Sequence, residues 1–281
     1  MRFTVSSTAL SSKLNALAKV INSKNSLPIL ADFLFDIQDN VLYLTASDSE
    51  NVINTQMELT ESDANGRFAI NNHDLLEAIK GFSEQPITFD VNLQDNIAKI
   101  SYQNGLFSLP VENADEYPQS QPITEGINTI VMPSNVLADN INRSLFATAQ
   151  DELRPVMNGI YFDLTPEHLA VVASDGHKLV RNKVFTVQSE QPASFILPKK
   201  PAGLLKNLLQ KDGGDVEIKF NERNAEINYG DGRLSCRLIE GRYPNYNSVI
   251  PQNNTNTLTV DRLALLAALR RVQPFANDSS N

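Results

Sequence analysis

The chain has 281 residues, 41% of them hydrophobic, too long and too apolar for a disordered polypeptide and long enough for two domains or more. Its net charge of −9, from 24 Lys and Arg against 33 Asp and Glu, taken alone speaks against nucleic acid as a partner. A single cysteine (Cys236) permits no internal disulfide, and with only three histidines it cannot build a Cys/His zinc site; no metal and no cofactor are expected.

In chain order, the start MRFTVSSTAL lacks the charged and apolar regions of a secretory signal, and no window approaches the length of a membrane span, so a cytosolic protein without membrane attachment is expected. Phe3-Thr4-Val5 reads as a strand and leads into Leu10, Leu14, Leu17 and Ile21 at helical spacing. Asp39-Asn40 marks a turn before the alternating segment VLYLTAS. Arg67-Phe68-Ala69-Ile70 then leads into Leu75, Leu76, Ile79 and Phe82, the same strand and helix order about 65 residues later. Turn signals at Asp95-Asn96 and Asn104-Gly105 precede IAKISY and LFSLPV. Two strand–helix–strand–strand–strand halves follow, which predicts an α+β unit with two helices backed by antiparallel sheet.

The whole unit recurs at a shift of 127 residues. Phe3-Thr4-Val5 matches Ile130-Val131-Met132, Pro28-Ile29-Leu30 matches Pro155-Val156-Met157, and Ala46-Ser47-Asp48 matches Ala173-Ser174-Asp175. Phe68 matches Phe195, Tyr102 matches Tyr229, and Tyr117-Pro118 returns as Tyr243-Pro244 after a slip of one. A third copy is expected to begin at Leu258-Thr259-Val260 and to continue as a helix from Arg262 to Val272. The predicted domains are 1–125, 126–252 and an incomplete third over 253–281, with polar linkers at GINTIVMPS (126–134) and PQNNTNT (251–257). On this count the chain is expected to be a shortened form of a three-unit protein.

Charge is sorted within this plan. Twelve cations against four acids fall in the proposed helices 8–24, 72–82, 134–150, 199–211 and 261–271, while the rest of the chain is strongly acidic. Units joined edge to edge would turn those helices to one side and form a positive lining, suited to duplex phosphates without sequence readout. Solvated lysines on helix faces are the plainer account of any single helix. Trp is absent and few aromatics interleave with the cations, which disfavours stacking on single strands.

MRFTV, SLPILADFLFDI (26–37), LYLTASDSE (42–50), RPVMNGIYFDL (154–164), ASDGHKLV (173–180) and GRYPNYNSVIP (241–251) resemble the bacterial sliding clamp family, the beta subunits of DNA polymerase III. The resemblance implies a DNA-clamp fold of tandem repeated domains and a non-enzymatic processivity factor of DNA replication. In that family, two subunits close head to tail around duplex DNA. The partners it implies are the replicative polymerase, the clamp loader ATPase and repair proteins, which bind through short linear motifs. For the motif pocket it points to Met157, Ser174, Gly176, His177, Lys178 and Leu179, with Pro244, Ser248 and Val249; Ser248 stands where the family often carries a basic residue. For DNA it points to Lys24, Gln150, Lys199 and Lys200, and for the subunit interface to Phe107 and Leu109. The family's third domain runs further than Asn281, so this chain is expected not to close the ring.

The pocket set makes chemical sense: Met157, Leu179, Pro244 and Val249 offer an apolar floor for leucine or phenylalanine anchors, Gly176 admits close backbone approach, and His177 with Lys178 offers polar and cationic contacts. Two other classes stay open on the residues alone: a peptide-binding scaffold that never touches DNA, and a hydrolase using carboxylates between the units. No G-x-S-x-G is present, and Ser174, Asp175 and His177 are too close in sequence to form a triad by themselves. Cys236 in LSCRL reads as a small buried hydrophobe, and Gly230-Asp231-Gly232 as a hairpin turn.

Overall fold

The structure is a computed structural model that describes residues 1–22, 27–118, 122–209 and 213–276. The first half runs β1 (Arg2–Ser6), α1 (Ser7–Leu17), β2 (Asp32–Gln38), β3 (Val41–Ser47), β4 (Asn51–Glu58), the two-residue β5 (Glu61–Ser62), β6 (Gly66–Asn71), α2 (Asn72–Ile79), β7 (Pro86–Asn92), β8 (Ile97–Tyr102) and β9 (Gly105–Glu112). The second half runs β10 (Asn128–Pro133), α3 (Ser134–Ser144), β11 (Gly159–Leu164), β12 (Leu169–Ser174), β13 (Leu179–Val184), β14 (Ala193–Pro198), α4 (Lys199–Leu208), β15 (Asp215–Phe220), β16 (Asn224–Tyr229) and β17 (Gly232–Arg237). Apart from β5 the order of elements repeats strand by strand, an α+β architecture of helices on antiparallel sheet.

Local chemistry explains the helix starts. Ser6 ends β1 and its hydroxyl accepts from the amide of Ala9 at 3.2 Å, so the same residue closes the strand and caps α1. Asn71 does the same for α2, accepting from His73 and Asp74. Leu10, Leu14 and Leu17 form the buried stripe of α1, each contributing on the order of 1.5–3 kcal/mol by leaving water. Alternation does the same for strands: Ile87, Phe89 and Val91 of β7 are buried while their neighbours are not. Rings knit the sheets: Phe3 stacks on Phe89 at 4.8 Å and Phe35 on Phe68 at 5.0 Å, and in the second half Phe162 stacks on Phe195 at 4.6 Å.

Each half folds as two four-stranded layers. The order β4-β3-β2-β6 of the first half matches β13-β12-β11-β14 of the second, and β9-β8-β7-β1 matches β17-β16-β15-β10. The halves join because β17 pairs antiparallel with β4, placing Gly232 opposite Thr55, Leu234 opposite Ile53 and Cys236 opposite Asn51. Sheet hydrogen bonding therefore runs without a break from one half into the other.

Two sequence expectations are corrected. The proposed linker 126–134 is mostly strand: residues 128–133 are β10, zipped to β15 along its length, since Ile130 and Met132 alternate into the core. Leu258-Thr259-Val260 lies in no strand. The chain divides into two compact units, Met1–Tyr243 and Pro244–Asn281, and among the described residues of the second no strand lies beside those three residues. In that second unit α5 (Arg262–Val272) is capped by Asp261, which accepts from the amide of Ala264 at 2.7 Å, and none of its residues is buried.

Candidate functional site

The stretch Ser174 to Leu179 is a tight turn between β12 and β13, held by its own side chains. The Ser174 hydroxyl accepts from the amide of Gly176 and donates to the carbonyl of Lys178 at 2.8 Å. Asp175 Oδ1 accepts from the amides of His177 and Lys178, each at 2.9 Å, and Oδ2 pairs with Lys178 Nζ. The Lys178 ammonium first, then the two backbone amides, hold the Asp175 carboxyl far below the usual carboxylate range. Hydrogen-bonded to two amides and to the Lys178 ammonium of its own turn, Asp175 shapes the loop. Gly176 has φ +93, a left-handed conformation that admits glycine without strain. His177 is exposed, Lys178 is about half exposed, and Leu179 is half-buried.

Arg154 belongs to this site although its sequence position drew no attention. A side chain at Gly176 would meet its guanidinium at 3.2 Å, and its Nε donates to Asp151 Oδ2 at 2.8 Å. That ion pair, three residues apart across an irregular turn, was the available signal. Arg154 and Asp175 line a cleft of about 500 Å³ together with Phe146, Gln150 and Lys199. Met157 is a different case. It is 6% exposed in a turn anchored by hydrogen bonds to Arg154 and Ala149, so it offers little free surface. Pro244, Ser248 and Val249 lie in the second unit, where the Ser248 hydroxyl donates to the carbonyl of Asn245 at 2.7 Å and Val249 is 68% exposed.

The same turn is built in the first half, 127 residues earlier. Ser47 Oγ accepts from the amide of Ser49, Asp48 Oδ1 accepts from the amides of Glu50 and Asn51, and Ser49 has φ 81 where the second half has glycine. The side-chain partners differ: the Asn51 side-chain amide donates to both Asp48 oxygens where Lys178 stands in the second half. Asp48 Oδ2 is held at 2.5 Å by Lys200 of the other half, whose ammonium also donates to the Val20 carbonyl and Asn22 Oδ1, each at 2.7 Å.

That contact revises the reading of the cations. Lys200 is committed to three acceptors across the joint, which makes it a structural tie rather than a free phosphate contact. Lys13 likewise pairs with Asp231 and donates to Thr55 Oγ1 at 3.1 Å. Lys80 and Arg143 face acids on their own helices, Glu77 and Asp139. Among the described residues no ion pair engages Lys19, Lys199 or Lys206. Lys199 shares its cleft with Gln150, and Lys24 lies outside the described residues. Phe107 and Leu109 alternate on β9, half-buried, with Phe107 against Tyr102. From Gly105 to Pro110 that strand pairs with β8 alone; only Val111 and Glu112 also pair with β6.

Among the described residues no His, Cys, Asp and Glu side chains gather as a metal site, and no helix is long and apolar enough to cross a membrane. Cys236 is buried and its thiol is pushed up to about 12 by that burial, as a packing residue rather than a nucleophile.

The fold and the sequence both recur among known proteins. The chain is 27% identical over 278 residues to a beta sliding clamp of Haemophilus influenzae, covering 99% of this chain and 75% of that one. A beta sliding clamp of Synechococcus elongatus is also 27% identical, covering 97% of this chain and 73% of the relative. Among solved structures, a sliding clamp of Pseudomonas aeruginosa bound to griselimycin superposes with a TM-score of 0.92 at 24% identity, covering 99% of this chain and 75% of that chain. The clamp of Bartonella birtlesii superposes with a TM-score of 0.89 at 25% identity, over 99% of this chain and 76% of that chain. The chain thus spans about three quarters of the length of the relatives it matches. Residues 1–121 match the N-terminal domain of the DNA polymerase III beta subunit and residues 131–245 its central domain; the chain belongs to the DNA polymerase III beta subunit family.

Proposed function

We propose that the protein is a DNA polymerase processivity factor, a cytoplasmic, non-catalytic sliding clamp that holds duplex DNA on its helical side and tethers the replicative polymerase. It divides at the limits drawn from sequence, 1–125, 126–252 and 253–281. The observation that carries the reading is the backbone joint between β17 and β4. It is the means by which like units add edge to edge, which turns helices of successive units to one side.

Internal symmetry supports the subunit interface. β9 is the counterpart of β17, and Phe107 and Leu109 stand 127 residues before Leu234 and Cys236, which are buried at the joint. The half-buried state of the first pair is what an edge without a neighbour leaves, and a second subunit would complete it head to tail. For peptides, the residues assigned are Arg154, Gly176, His177, Lys178 and Leu179 of the first unit and Pro244, Ser248 and Val249 of the second, and linear motifs of the polymerase, the clamp loader ATPase and repair proteins are their ligands.

For DNA, the contacts assigned are Lys24, Gln150 and Lys199. The test is fluorescence anisotropy of a labelled 30-base-pair duplex at rising salt. Changing Lys24 and Lys199 together to Glu is expected to lower affinity by about tenfold or more and to flatten the salt dependence. Equal binding by parent and variant overturns the duplex surface and leaves a peptide scaffold.

A further inference from the structure

The internal repeat places a second cavity where the first half should carry its own version of the peptide site. A cleft of about 280 Å³ opens at the joint between the halves, lined by Ser47, Ser49, Glu50, Val52, Pro118 and Ile123, and closed on the far side by Glu226, Cys236 and Arg237. Each of the first six has a counterpart in the surface described above. Ser47, Ser49, Glu50 and Val52 precede Ser174, Gly176, His177 and Leu179 by 127 residues, while Pro118 and Ile123 precede Pro244 and Val249 by 126. The two turns also share their hydrogen bonds, amide for amide, and the left-handed backbone at Ser49 and Gly176.

The chemistry of the wall is reversed. Where the second half presents His177 and Lys178, the first presents exposed Glu50 and the buried amide side chain of Asn51, which turns inward to Asp48. Asp48 itself is neutralised by Lys200, so the anionic character of the opening comes from Glu50, with Glu226 opposite, partly faced by Arg233 at 3.7 Å. Arg237 is the one cation on the lining, and its backbone amide is fixed to the Glu50 carbonyl at 3.0 Å. Val52 and Ile123 are half-buried and Pro118 stands at the end of β9's continuation, which gives an apolar slot beside the acids.

We infer that this cleft is a second linear-peptide site, selective for an extended segment that places Lys or Arg beside an aliphatic side chain. The aliphatic group fills the slot between Val52, Pro118 and Ile123, and the cation faces Glu50. The inference uses the peptide reading of the second half only as a template for position, since the cavity and its charge are observed independently.

The test is panning of a phage-displayed random hexapeptide library on the immobilised chain, followed by anisotropy of the enriched peptides. A class carrying a basic residue next to Val, Leu or Ile is expected to emerge. Its affinity falls about tenfold or more with Glu50→Lys and with Val52→Glu, and is unchanged by Leu179→Glu. Circular dichroism checks that Val52→Glu remains folded; if it does not, the exposed Glu50→Lys decides alone. The site is overturned if no enriched sequence depends on Glu50 or Val52, or if those that depend on them carry acids instead. A class that depends on Leu179 and not on Glu50 bears on the second-half surface alone, so the two readings fail separately.

Discussion

At the scale of single residues, the most consequential contact is Lys200 with Asp48. The Asp48 side chain is 4% exposed, so removing its cation leaves an uncompensated buried charge. Lys200→Met is expected to destabilise the chain by about 3 kcal/mol in urea unfolding. Lys199→Met, one residue away, should change stability by less than about 0.5 kcal/mol. Asp32 offers a pH signature. Burial, then the nearby charge of Glu112, raises its pKa from 3.8 to about 6 against the opposing hydrogen bond from Asn71. The folded state therefore holds a proton that the unfolded chain releases. This stabilisation is fully present below about pH 4 and is lost as the pH rises through about 6. Relative to Asp32→Asn, which cannot ionise, the parent should lose on the order of 2–3 kcal/mol across that window, measured by urea melts at stepped pH. None of these contacts was legible in sequence. Lys200 reads like any solvated lysine at a helix start, and only the fold brings it to an aspartate 152 positions away.

At the scale of elements, the two equivalent turns make the same demand at one position and meet it with different residues. Gly176 occupies a left-handed backbone, so Gly176→Ala should cost about 1 kcal/mol and weaken peptide binding, while Ser49→Gly at φ 81 should stabilise by about 0.5–1 kcal/mol. Thermal melts of the two variants should shift in opposite directions. The turns themselves were readable, because the Asp turn recurs at a fixed spacing and stands between two alternating runs. The strand–helix order of each half was readable for the same reason, since Leu10, Leu14 and Leu17 keep a helical period while Ile87, Phe89 and Val91 keep a period of two. The segment 126–134 misled because its polar flanks hide Ile130 and Met132, two inward positions that suffice for a strand once β15 is alongside. Leu258 to Val260 misled in the other direction: the pattern is a strand's, but a pattern yields a strand only against a partner.

At the scale of the whole molecule, sorting helix cations from sheet acids was a poor guide to availability. Lys13 and Lys200 carry the expected sign in the expected helices, yet both are tied across the joint, to Asp231 and Asp48. A tally of charges cannot see that, because an ion pair between repeats depends on which hairpin lies beside which helix. The joint itself can be tested as a coupled unit. Leu234 and Ile53 are buried and face each other across β17 and β4. Each changed to Ala is expected to cost about 2–4 kcal/mol, with a coupling of about 0.5–1 kcal/mol in a double-mutant cycle, against near-additivity for Leu234 paired with distant Leu75.

The seam between β17 and β4 is made of main-chain amides and carbonyls, which every residue except proline supplies alike. The main-chain part of that fastening is indifferent to side-chain drift, whereas the Lys200–Asp48 and Lys13–Asp231 pairs and the Leu234–Ile53 contact beside it are not. A hybrid that splices the first module of a relative only about a quarter identical onto this second one should therefore zip shut where the foreign module keeps an acid at the position of Asp48, a base at that of Lys13 and an aliphatic residue at that of Ile53.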